Sequence, residues 1–260
     1  MSKITFSYLK KFNGAMGMLH FIQGAIMLWL GLTLSNIKDF KLPINTSYLK
    51  FDEIIQRLVL QTNEITRLPI ATILASFLFL SALAHFIIVL PSVNKIYNKN
   101  LERGINYFRW FEYALSSSIM IALIAMFFGI YDLSSLILII GLNTTMNMLG
   151  LLMELHNQTT KQTSWISFWI GSFAGLIPWI VVLIHFFGSG EWGEIPWFVY
   201  LALGSYFIFF NLFPANMYLQ YKKVGPWQDY LYGERAYIIL SLVAKSILAW
   251  LVFGGTLQPV

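Results

Sequence analysis

Apolar residues along this chain gather into runs of membrane length, at roughly 15–34, 68–90, 105–128, 133–154, 164–187, 195–219 and 236–255. A helix needs about 20 such residues to cross a bilayer, so the pattern predicts seven spanning helices in one domain over residues 1–260. The connections are short, which makes sequential helices antiparallel neighbours. The exception is 35–66, where Pro43, Asn45 and charges of both signs surround a periodic stretch at 48–60. Ile54, Ile55, Leu58 and Val59 fall there at helical spacing, so the segment reads either as a short amphipathic or partly extended lid or as a plain solvated loop. The fourth run is the least apolar. Its Asn143, Thr144, Thr145 and Asn147 are expected to face the bundle interior, away from lipid.

Composition agrees with a membrane protein. Hydrophobic residues make up 57% of the chain and charged ones 11%, against about 25% charged in a soluble domain, and the mean hydropathy is +0.66. With no cysteine, neither disulfides nor thiolate metal sites are available. The net charge of +5 does not point to nucleic acid, because the basic residues lie in short loops between apolar runs, where they act as topology signals. No cleavable signal peptide is expected, since neither a small-residue cleavage site nor a soluble domain follows the first run. Lys3, Lys10, Lys11, Lys95, Lys99, Arg103, Arg109, Lys161, Lys222, Lys223 and Arg235 fall on one side, and Lys38, Lys41, Lys50, Arg57 and Arg67 share a single loop on the other. Positive-inside reasoning therefore puts the N-terminus in the cytoplasm and the C-terminus outside.

Against this background one basic residue stands out. Lys245 lies near the middle of the last run, IILSLVAKSILAWLVFG, where a charged side chain costs a few kcal/mol and marks function. A desolvated lysine amine can condense with an aldehyde to form a Schiff base, and a protonated imine then needs a buried anion. Glu112, in the third run, is the candidate counterion, whereas Glu154, Glu191 and Glu194 lie at run ends where water or headgroups can solvate them. Ser241 precedes Lys245 by four residues and Ser116 follows Glu112 by four, so each serine shares a face with its charge. His20 with Gln23, and Ser81 with His85, recur at spacings of three and four. They predict a hydrogen-bonded, water-filled cavity on the cytoplasmic half in preference to a metal site, which two imidazoles alone make poorly. Phe207, Phe209, Phe210, Phe213 and Pro214 could wall a flat conjugated ligand.

Seven helices with a lysine in the last and a carboxylate in the third form the pattern of microbial rhodopsins. More narrowly, FNLFPANMYLQYKKVGPWQDYLYGERAYIILSLVAKSILAW at 210–250, RWFE at 109–112, SSS at 116–118, His20 and His85 resemble the heliorhodopsins. The likeness spans essentially the whole chain. It implies all-trans retinal on Lys245 as a protonated Schiff base with Glu112 as the carboxylate counterion. It also implies a hydrogen-bonding role for Ser81, Ser116 and Ser241, a pocket including Tyr113, Asn143, Met146 and Phe210, an inner polar cavity at His20, Gln23 and His85, and a homodimer in the lipid bilayer. The expected function is light sensing through a long-lived signalling state, without enzyme chemistry. Carboxylates are missing near Met126 and Phe127 and near Gly104 and Ile105, which argues against an ordinary proton pump. Two other readings stay open: a light-gated or light-driven proton or cation conductor with Glu191 and Glu194 at its outer mouth, and a retinal-free protein whose Lys245–Glu112 pair is structural or belongs to an enzyme.

Overall fold

A computed structural model describes residues 4–188 and 197–255. In chain order these form α1 (Phe6–Thr33), α2 (Ser35–Lys38), β1 (Lys41–Asp52), β2 (Arg57–Pro69), α3 (Ile70–Val89), α4 (Pro91–Glu102), α5 (Tyr107–Phe127), α6 (Leu133–His156), α7 (Ile166–Gly188), α8 (Trp197–Tyr221) and α9 (Tyr230–Gly255). Seven of the helices (α1, α3 and α5–α9) are long and apolar enough to cross a membrane.

Polar side chains set several of the helix starts. Thr5 Oγ1 accepts from the Tyr8 amide at 3.1 Å, Asn106 Oδ1 from Arg109 at 3.0 Å and Asp132 Oδ2 from Ser135 at 3.0 Å, each satisfying an amide that the first helical turn leaves free. The outer faces of the bundle are apolar: Trp29, Leu138, Phe173 and Ile184 are 63–67% exposed, as expected of surfaces that meet lipid tails. One core cluster, with Leu74, Phe77, Ile121, Val182 and Leu248, fills the half of the bundle near the β-strands. A second, around Trp110, Tyr113 and Tyr237, fills the opposite half. On α9, Lys245 falls between Tyr237 of one cluster and Leu248 of the other.

Three departures from the sequence reading bear on the site. In the 35–66 segment the partly extended reading holds, whereas the helical face and the plain loop do not: beyond α2, most of it forms an antiparallel hairpin of β1 and β2, from Lys41↔Pro69 to Asp52↔Arg57 with a register shift at Ile44/Asn45. Ile54 and Ile55, half of the supposed helical face, sit in its turn, where Asp52 Oδ1 accepts from both their amides at 2.9 and 3.2 Å. Two strands alone are marginal, and this pair is anchored at its base by buried Leu42 and by the Asn45 amide donating to the Tyr131 carbonyl at 2.8 Å. Second, the link between the second and third spans carries its own helix, α4, which buries Asn94, Tyr97 and Leu101. Third, α1 begins at Phe6 and α9 at Tyr230, earlier than the apolar runs suggest. The extra turns of α9 bring Glu234 inside the bundle.

Candidate functional site

The bundle brings the two isolated charges together. Lys245 on α9 is 3% exposed, and its Nζ lies 3.1 Å from Glu112 Oε1 on α5 and donates to Ser241 Oγ at 2.7 Å. Ser81 on α3 donates to the same Glu112 oxygen at 2.5 Å. At an effective dielectric of about 20, a charge pair at this separation attracts by about 5 kcal/mol, and the hydrogen bonds from Ser81 and to Ser241 add to it against the several kcal/mol that burying each ion costs. The Tyr113 ring lies 5.1 Å from Nζ, and its hydroxyl is held by the Tyr237 carbonyl at 3.0 Å. Ser116 is fully buried, as its spacing predicts, but its hydroxyl has no hydrogen-bond partner of normal length among the described residues.

From Lys245 a cavity of about 310 Å³ extends between α5, α6, α7, α8 and α9, within the usual range for a small-molecule site. Tyr113, Met146 and Phe210 line it as expected, and so do Phe207, Phe213 and Pro214. Pro214 lacks the amide that would bond the Phe210 carbonyl one turn back, which frees the α8 backbone at the wall. Asn143 is a correction. It sits behind the wall, donating to Ser117 Oγ at 2.7 Å and Ser118 Oγ at 3.0 Å, and Asn147 one turn later lines the cavity. Phe209 is not part of the lining either. Trp179, not singled out by the sequence, meets Phe207 and Phe210 edge-to-face at 5.3 and 5.4 Å.

Glycines keep the space open. A Cβ at Gly175 would come 2.2 Å from Met146 Sδ, and one at Gly150 would come 2.3–2.8 Å from the Trp110 ring. Trp110 is itself a wall residue, and its Nε1 donates to Glu154 Oε2 at 2.7 Å.

On the α4 side of Lys245 lies a smaller cavity of about 30 Å³, lined in part by Asn13, His85, Arg109, Glu112, Glu234, Tyr237 and Ser241. His85 Nδ1 pairs with Asn13 Oδ1 at 2.7 Å, and the His20 ring stacks on His85 at 5.6 Å. His20 is therefore a second layer and not part of the lining. Gln23 does not join it: three residues on, its side chain reaches the α1–α9 seam and accepts from Trp250 Nε1 at 3.1 Å. Glu191 and Glu194 lie outside the described residues.

The largest correction concerns Glu154 and Arg109, read from sequence as a solvated end residue and a loop charge. Both are buried, and the Arg109 guanidinium bridges Glu154 and Glu234, which are 1% and 2% exposed. Glu154 also accepts from the Asn106 amide at 2.9 Å and the Tyr230 hydroxyl at 3.1 Å; Glu234 accepts from Tyr97 at 2.9 Å and Asn106 Nδ2 at 2.7 Å. The Tyr237 face covers the guanidinium at 4.1 Å. Burial and the adjoining Glu234 carboxylate push the Tyr97 phenol well up, which keeps it protonated as a donor. A signal for Glu234 was present: with Ser241 and Lys245 it repeats at seven and four residues, one helical face.

A heliorhodopsin family model matches residues 9–257, nearly the whole chain. The chain belongs to the heliorhodopsin family. Comparison with curated proteins finds no match. Membership and the seven apolar helices make it an integral, multi-pass membrane protein of a retinal-binding, light-responsive family, one that is not a classical enzyme family. Tested against retinal, this heliorhodopsin fits by its own geometry: an aromatic-walled cavity ends at a buried primary amine, and Gly150 and Gly175 stand where a Cβ would collide with the wall.

Proposed function

We propose that this heliorhodopsin is a light sensor in which Lys245 carries all-trans retinal as a protonated Schiff base and Glu112 is the counterion. The observation that carries this reading is the position of Lys245 Nζ, at the end of the aromatic cavity and 3.1 Å from Glu112. When bound, retinal supplies a light-driven double-bond isomerisation. The protein's part is to hold charge. Glu112 favours a proton on the Lys245 nitrogen, and Ser241 and Ser81 orient the two partners. Once the nitrogen gives up that proton, the attraction of about 5 kcal/mol between α9 and α5 is lost. That change is large enough to repopulate helix arrangements separated by a few kcal/mol.

Reconstitution with all-trans retinal tests the reading. A visible absorption band is expected in the parent, and Glu112→Gln is expected to move it to longer wavelength, because a positive charge without a nearby localised anion spreads further along a conjugated chain. An unchanged maximum would show that Glu112 is not the counterion.

The same proposal places the N-terminus in the cytoplasm and the hairpin outside, in a homodimer. Ile54 at the hairpin turn is 92% exposed, and the chain has no cysteine. Ile54→Cys is therefore expected to react with a membrane-impermeant maleimide added to intact cells, and protection there with reaction only after lysis would reverse the topology. Leu49, Phe51, Leu58 and Leu60 leave the hairpin 56–69% exposed at apolar positions, a surface suited to pairing; light scattering in detergent reads the mass.

A further inference from the structure

The smaller cavity joins two charged sites that the sequence keeps apart. Glu112 and Ser241 border it on the Lys245 side, and Arg109 and Glu234 on the other. Its volume of about 30 Å³ has room for one or two waters. Two buried polar atoms on its lining residues, the Tyr237 hydroxyl and Arg109 Nε, have no partner among the described residues, and buried polar groups in that position are usually satisfied by water.

We infer that Glu234 is the acceptor for the proton that leaves the Lys245 nitrogen. The inference rests on the Lys245 reading above. Arg109 carries one positive charge and is bridged to two carboxylates, so the cluster holds a net charge of −1 when ionised and becomes neutral on taking one proton.

The hydrogen bonds select which carboxylate receives it. A carboxylate has about four acceptor positions. Glu154 fills all of them: Arg109 and Tyr230 on Oε1, the Asn106 amide and Trp110 Nε1 on Oε2. Glu234 takes Tyr97 and Asn106 on Oε1 but Arg109 alone on Oε2, leaving one position open, and of the two glutamates it is Glu234 that lines the cavity. The groups facing it are Tyr97 from α4, Asn106 and Arg109 at the start of α5, Tyr230 and Tyr237 from α9, and, across the cavity, His85 from α3 and Asn13 from α1. Glu154 of α6 acts on it through Arg109.

The transfer balances. An N–H bond breaks at Lys245 and an O–H bond forms at Glu234, leaving a neutral nitrogen, an ionised Glu112 and a neutral carboxylic acid. The total charge of the two sites is −1 before and after. Separating the proton from Glu112 by the length of the cavity also prevents direct return across the 3.1 Å contact, which suits a long-lived state.

Light-minus-dark infrared spectra of the full chain loaded with all-trans retinal test the assignment, alongside a crystal structure of the chromophore-free chain. Illumination is expected to produce a protonated-carboxyl C=O stretch in the parent. That stretch should vanish in Glu234→Gln while the visible band still forms, and survive in Glu112→Gln. Ala84→Val adds bulk to the lining of the same cavity without replacing a titratable group and is expected to delay the stretch, which keeps the test usable if Glu234→Gln fails to fold. The chromophore-free crystals are expected to show water touching both Glu112 and Glu234. A stretch that persists in Glu234→Gln, a parent without one, an undelayed Ala84→Val or a dry cavity overturns the assignment. A parent with no visible band removes the Lys245 reading and this assignment with it, whereas a normal band with the infrared signal elsewhere removes the assignment alone.

Discussion

Lys245→Ala is expected to abolish the visible band formed with all-trans retinal, leaving the absorption of the free aldehyde. Among the described residues, Lys245 is the lysine that lines the large cavity. The substitution also strands Glu112, which keeps Ser81 but loses the cation 3.1 Å away. Removing one partner of a buried ion pair costs about 3–5 kcal/mol, so the variant must be shown to remain helical and monodisperse by circular dichroism and gel filtration. A small primary amine added with the chromophore is expected to restore part of the band, since the space vacated by the side chain lies next to Glu112. A visible band in Lys245→Ala without added amine would end the assignment of this residue.

Arg109→Gln is expected to be the most destabilising single change among the charged residues discussed. The guanidinium bridges Glu154 and Glu234, both almost fully buried, and its loss leaves two carboxylates facing each other without a cation. The expected cost is about 3–5 kcal/mol, a large part of the ~5–15 kcal/mol that holds a typical domain folded. Arg109→Lys should recover little of it, because one ammonium cannot reproduce a planar fork that reaches two carboxylates while stacking on Tyr237 at 4.1 Å. Thermal unfolding in detergent reads the loss directly. Adding Glu154→Gln to Arg109→Gln should return part of the stability, because it removes one of the uncompensated charges; strict additivity of the two changes would show that the residues are not coupled.

The cluster and the Lys245 pair differ in how visible they are from sequence, and the reason is their surroundings. Lys245 and Glu112 interrupt apolar runs, where an unpaired charge is too costly to be accidental, so their mutual pairing could be inferred before any fold was known. Arg109, Glu154 and Glu234 sit near run ends, where the same residue types are ordinarily solvated. Only the packing of α4, α5, α6 and α9 around them removes that water. Tyr97 of α4, a helix absent from the apolar pattern, is one of the groups that closes the site. The corrections at Gln23 and Asn143 have a related origin: residues three or four apart share a helix face, but the pattern does not say which neighbour that face meets. The hairpin was obscured because its turn places isoleucines in succession, imitating one side of a helix.

By itself the sequence determined the spans, the buried lysine and the glutamate opposite it, because each follows from the cost of placing a given side chain in a low-dielectric medium. Tertiary structure decided which charges meet, the shape of the large cavity and the link between Glu112 and Glu234. Those depend on the rotation and depth of each helix against its neighbours. Arg109 and Glu234 are 125 residues apart in the chain, and no local pattern encodes the packing that brings such distant positions into contact.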